Sequence, residues 1–77
     1  MNIDLADVTL HVDESLDASG LAHLEDAFRT REGVVSVHVA QKRPHLFVLE
    51  YDPKMIHSQD LVKIPQFHGL HAELIGL

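Results

Sequence analysis

Val35-Ser36-Val37-His38-Val39, then Lys42-Arg43-Pro44-His45, then Leu46-Phe47-Val48-Leu49-Glu50-Tyr51 is the stretch on which the fold turns. The first run alternates apolar and polar residues, the period of a strand with one buried face. Proline in the middle quartet fixes φ and brings no N–H to a ladder, so a turn is expected there. The third run sets Phe47, Leu49 and Tyr51 on one face, and Asp52-Pro53 ends it. Two strands joined by a short turn form an antiparallel hairpin, and the rest of the chain is arranged around it.

Upstream, Val8-Thr9-Leu10-His11-Val12 repeats the strand alternation. Asp13 to Ser19 is a polar loop in which Asp17 and Ser19 are the best helix N-caps. Leu21, Leu24, Ala27 and Phe28 then recur at helical spacing. Arg29 and Arg31 suit the negative end of the helix dipole, and Gly33 is a natural stop. Downstream, Ser58 is a candidate N-cap for a second helix carrying Leu61, Val62 and Ile64. Pro65 inside it removes a hydrogen bond, which predicts a short, kinked or early-ending helix. Gly69 breaks the chain before a last strand from Leu70 to Ile75. The order β-α-β-β-α-β predicts an α+β ferredoxin-like sandwich, with two helices on one face of a four-stranded antiparallel sheet and the other face open.

Residues 1–77 read as one small domain of ordinary globular composition, with 45% hydrophobic and 23% charged residues. No apolar run is long enough to span a membrane. Met1-Asn2-Ile3-Asp4 carries no export pattern, so a cytoplasmic location is expected. Six basic residues against twelve acidic ones argue against nucleic acid as a partner, because phosphate neutralisation needs a basic face. The chain has no cysteine, which excludes thiolate metal sites, disulfides and thiol nucleophiles. It does have seven histidines, whose protonation would take the formal charge from −6 to +1. No phosphate-cradling glycine loop is present, and Ser15, Ser19, Ser36 and Ser58 have no base partner at a motif spacing. A binding module is therefore expected rather than an enzyme.

Leu24-Glu25-Asp26-Ala27-Phe28, Gly33-Val34 with Val37 and Val39, Tyr51-Asp52-Pro53, Leu61, and Gly69-Leu70 with Ala72 follow one another over residues 7–75. In this order and spacing the chain resembles the heavy-metal-associated domain family of copper chaperones and metal-transporting ATPase modules. That resemblance implies a ferredoxin-like fold and metal handling, or docking to a related domain. It also implies a Met-x-Cys-x-x-Cys loop between the first strand and first helix. Here those positions hold Ser15, Asp17 and Gly20, so the family's ligands carry over to no residue of this chain.

Strand parity offers a different site. If Val8, Leu10 and Val12 face the helices, Thr9 and His11 face the open side. Val35, Val37 and Val39 would point in, with Ser36 and His38 out. Val48, Glu50, His71, Glu73 and Ile75 would share the open face with them. With the first and third strands central, as the resemblance implies, His11 is expected between Glu50 on one side and His71 or Glu73 on the other. Cross-strand neighbours lie about 5 Å apart, close enough for His11, His71, Glu73 and Glu50 to gather round a divalent Zn, Ni or Cu ion. A solvated sheet face is also normally polar, so the same pattern is met without a ligand. His68 is expected near Asp17, too few donors for a site, and His23, His45 and His57 are expected in solvent. The competing reading is an interaction or dimerisation module, using exposed Val48 and Ile75 and an open edge strand to pair with a partner protein or a second copy.

Overall fold

The computed structural model describes residues 4–40, 42 and 45–76. The hairpin at the centre of the sequence forms β2 (Val34–Val39) and β3 (Leu46–Tyr51), paired antiparallel. Of the expected turn, Arg43 and Pro44 lie outside the described residues. Before the hairpin come β1 (Ala6–Val12) and α1 (Ala18–Arg29), and after it α2 (Ser58–Phe67) and β4 (Ala72–Gly76). The sheet order is β2-β3-β1-β4, with every neighbour pair antiparallel. This is the ferredoxin-like arrangement, and it makes β1 and β3 the central strands.

Alternation in the sequence becomes two sheet faces. Val8, Leu10 and Val12 of β1 and Phe47, Leu49 and Tyr51 of β3 are buried in one cluster with Leu24 and Phe28 of α1 and Leu61 and Val62 of α2. Phe28 and Phe47 meet at 5.7 Å between ring centroids, in a tilted contact suited to aromatic rings. Among the described residues the opposite sheet face carries no helix. Residues of β1 that point that way, Thr9 and His11, are only half-buried.

Local chemistry sets the helix ends. Asp17, not Ser19, caps α1: its Oδ1 accepts from the Gly20 N–H at 2.8 Å. Arg29 lies in the last turn and pairs with Glu25 one turn earlier at 3.2 Å. Gly33 does not end the helix itself but turns the chain into β2 at φ 100°, where a Cβ would meet Ile56 Cγ2 at 2.9 Å.

Three local expectations are corrected, and the expected short second helix is observed. Val35 does not point into the core. A register irregularity between Val34 and Ser36 lets the strand bulge, so Val34 is half-buried while Val35 is exposed. The N-cap of α2 is His57 rather than Ser58, and Asp60 reaches back to accept from the His57 N–H at 3.2 Å. Pro65 does not stop α2, which is short at ten residues but continues to Phe67. A proline forgoes only its own bond to the carbonyl four residues earlier, and its ring is buried against the core. The last strand begins at Ala72, so His71 precedes it.

Candidate functional site

On the open face, register decides which polar groups meet. His11 of β1 is paired with Leu46 of β3 on one side and Glu73 of β4 on the other. Asp13 follows β1 with the same parity as His11, and His11 Nδ1 lies 3.0 Å from Asp13 Oδ1. Each of His11, Asp13 and Glu73 offers a ligand atom within 4.8 Å of those of the other two. His11 is half-buried, whereas Asp13 and Glu73 are exposed. Two carboxylates and one imidazole converge at the edge where β1 meets β4.

The other residues expected there lie elsewhere. Glu50 is paired with Asp7, not beside His11, because the β1–β3 register sets Leu46 against His11. Four residues of strand separate Glu50 from that row, about 13 Å at the usual rise. His71 has the expected parity, and its carbonyl accepts from the Asp13 N–H at 2.8 Å. Its ring turns instead to Glu14 in the β1–α1 loop. Glu14 accepts from the His71 backbone N–H at 2.7 Å through Oε1 and from Nδ1 at 2.5 Å through Oε2. This contact raises the His71 pKa above its ordinary value and lowers that of Glu14, with the side-chain hydrogen bond the leading cause for both. His38 lies opposite Val48 on the edge strand β2.

His45 is a histidine that the sequence pattern misplaced. Expected in solvent at a hairpin tip, it is half-buried immediately before β3. Continuing the β1–β3 register past His11 and Leu46 brings His45 level with Val12, whose N–H donates to the His45 carbonyl at 2.8 Å. The imidazoles of His45 and His11 stack with centroids 5.6 Å apart and planes 18° from parallel. The register, once known, shows that His45 lies alongside the end of β1, which alternation alone does not. His23, His57 and His68 are exposed as expected. Among the described residues no side-chain hydrogen bond joins His68 to Asp17.

At the other end of the β1–α1 loop, the positions of the resembled family's ligands do structural work. The Asp17 carboxylate is the α1 cap, and Ser15 is exposed. A Cβ on Gly20 would stand 3.3 Å from both Asp17 Oδ1 and Leu16 Cβ. Hydroxyl, capping carboxylate and glycine do not fit Cu(I), which soft thiolate sulfur selects.

No protein-family model matches the chain, and no curated protein sequence matches it. Solved structures do. A copper binding domain from HMA7, a P-type ATPase, is 20% identical, with 91% of this chain and 93% of that one covered at a TM-score of 0.83. The N-terminal domain of a potential copper-translocating P-type ATPase from Bacillus subtilis, in the Cu(I)-loaded state, is 20% identical over 95% of this chain and 90% of that one, at 0.84. Oxidized MerP from Ralstonia metallidurans CH34 is 22% identical over 92% and 97%, at 0.82. The fold is the one these domains share. This chain carries the heavy-metal-associated fold with no cysteine in its β1–α1 loop. Among the described residues no helix is long and apolar enough to cross a membrane.

Proposed function

We propose that this chain is a single binding domain that handles a divalent transition-metal ion, held on the open sheet face and not at the β1–α1 loop. The observation that carries this reading is the convergence of His11, Asp13 and Glu73 within 4.8 Å on a fold otherwise seen in copper binding domains. His11 and Glu73 are the proposed ligands, with Asp13 adding a second negative charge beside them. His71 can join only by leaving Glu14, and Glu50 is too far along β3 to take part. Imidazole with carboxylate suits Zn²⁺, Ni²⁺ or Cu²⁺, in contrast to the thiolate preference of Cu(I). The ion is cargo, and the exposed position suits exchange with another protein better than permanent retention. No step of covalent chemistry is proposed.

Elemental analysis of protein purified without an affinity tag or chelator, followed by calorimetric titration with Zn²⁺ and Ni²⁺, tests the reading. It predicts stoichiometric binding of one ion. Absence of any heat or bound metal at millimolar ion would contradict it.

A second reading rests on a separate observation. Val48 and Ile75 are 38% and 51% exposed, and both belong to the open face by parity. An interaction or dimerisation module would use them as apolar contacts, with β2 and β4 as pairing edges. Self-association in sedimentation without any metal response would favour that reading over metal handling.

A further inference from the structure

The open face carries a second imidazole that strand parity alone did not place there. His45 Nδ1 lies 2.8 Å from the Val12 carbonyl oxygen. A carbonyl only accepts, so Nδ1 carries the hydrogen and, in the neutral ring, Nε2 carries the lone pair. His11 Nδ1 faces the Asp13 carboxylate at 3.0 Å, and an ionised carboxylate also only accepts. Both neutral rings are thus in the same tautomer, with Nδ1 spent on an oxygen and Nε2 left as an electron-pair donor.

That state is the one a metal-bound imidazole needs. Ligating histidines commonly donate their other ring N–H to a carboxylate or backbone carbonyl, which fixes tautomer and orientation. Here one ring uses each kind of partner, and the two rings stack at 5.6 Å. Glu73 stands opposite His11 across the β1–β4 pairing.

We infer that His45 is the second imidazole of the metal site, so that Nε2 of His11, Nε2 of His45 and the Glu73 carboxylate form a two-histidine, one-carboxylate set for a divalent transition ion. The inference rests on the metal-handling reading above and sharpens it. Asp13 and the Val12 carbonyl then act as orienting partners of the two rings. Two nitrogens on one tetrahedral Zn²⁺ lie roughly 3.3 Å apart, given Zn–N bonds of about 2.0 Å. The stacked, near-parallel rings must therefore reorient until both Nε2 atoms point at one ion. His45 is tied to the backbone, so the movement falls to His11 together with the exposed Asp13 side chain to which its Nδ1 is joined. Three protein donors leave a fourth position for water or for a donor from a receiving protein. Two imidazoles also favour Zn²⁺, Ni²⁺ and Cu²⁺ over Mg²⁺ and Ca²⁺, which prefer all-oxygen sites.

The test combines side-chain ¹⁵N NMR with Zn²⁺ calorimetry on the full chain. His45→Asn is the informative variant, because its amide N–H can still donate to Val12 while no Nε2 remains. In the wild type, Nε2 of His11 and of His45 should shift together as Zn²⁺ is added. His45→Asn should weaken Zn²⁺ binding at least about tenfold, the lower end of what loss of an orienting partner alone costs. His23→Gln should leave binding unchanged. Wild-type binding with a silent His45 Nε2, or with equal affinity in His45→Asn, overturns the inference and leaves the metal reading standing. No binding by the wild type overturns both. If the variant fails to fold, the paired Nε2 shifts in the wild type decide the matter alone.

Discussion

The β1–α1 loop and the open sheet face are neighbours in this molecule, yet their polar groups are committed in opposite ways. In the loop, Asp17 is spent on the Gly20 N–H as a helix cap, and Glu14 is spent on both nitrogens that His71 presents. On the sheet face, Asp13 and the Val12 carbonyl hold one nitrogen of each imidazole and leave the other available. The difference teaches that sharing a fold does not mean sharing the chemistry of a given position. Where the resembled family implies cysteines, at positions 17 and 20, this chain has a helix cap and a glycine. Its free donors lie a few residues away, on strands whose register was set by the core.

The strongest way to break this contrast is to restore the loop. Asp17→Cys combined with Gly20→Cys should create Cu(I) binding where the wild-type loop has none, a gain of orders of magnitude read by competition with a Cu(I) chelator. The same pair should lower stability by about 1 kcal/mol, because the α1 cap is lost. Next in size, His11→Gln or Glu73→Gln should weaken Zn²⁺ binding by about tenfold or more in calorimetry. Both substitutions lie on the solvated side, so the thermal midpoint should barely change. Asp17→Ala should do the reverse: a loss of about 1 kcal/mol in denaturant unfolding, with Zn²⁺ affinity unchanged.

The smallest effect belongs to the clasp between the two regions. His71 is raised from 6.5 and Glu14 lowered from 4.5 by their mutual contact. A raised histidine stabilises the fold fully below its unfolded pKa and loses that contribution as pH rises through its folded one. A lowered carboxylate stabilises fully above its unfolded pKa and loses it as pH falls through its folded one. The clasp therefore contributes in full between about pH 4.5 and 6.5 and fades on either side. NMR titration should show His71 titrating above the ordinary histidine value, and Glu14→Gln should return it there. An unshifted wild-type His71 would show the clasp open in solution.

How much of this was legible in the sequence depends on the range of the cause. Strand parity depends on adjacent residues, and it correctly separated Val8, Leu10 and Val12 from Thr9 and His11. It failed at Val35, because a bulge changes parity without changing the alternation that a reader sees. Glu73 beside His11 followed from parity and strand order together. Glu50 was misplaced because register along a strand depends on the length and geometry of turns, which the alternation does not encode. The Glu14–His71 contact joins residues 57 positions apart through a loop side chain, and no periodicity points to it. His45 was hidden for a related reason. A residue beside a turn-forming proline reads as solvent until the register shows that β1 extends alongside it.

The central claim is that metal is held at the β1–β4 edge and not in the β1–α1 loop. Backbone amide NMR during Zn²⁺ titration tests it most directly, because each region reports separately. The account predicts saturable shifts at His11, Val12, Asp13 and Glu73, with the amides of Asp17 to Gly20 unmoved. Shifts centred on Asp17 to Gly20, or no shift on either strand at millimolar Zn²⁺, would contradict it.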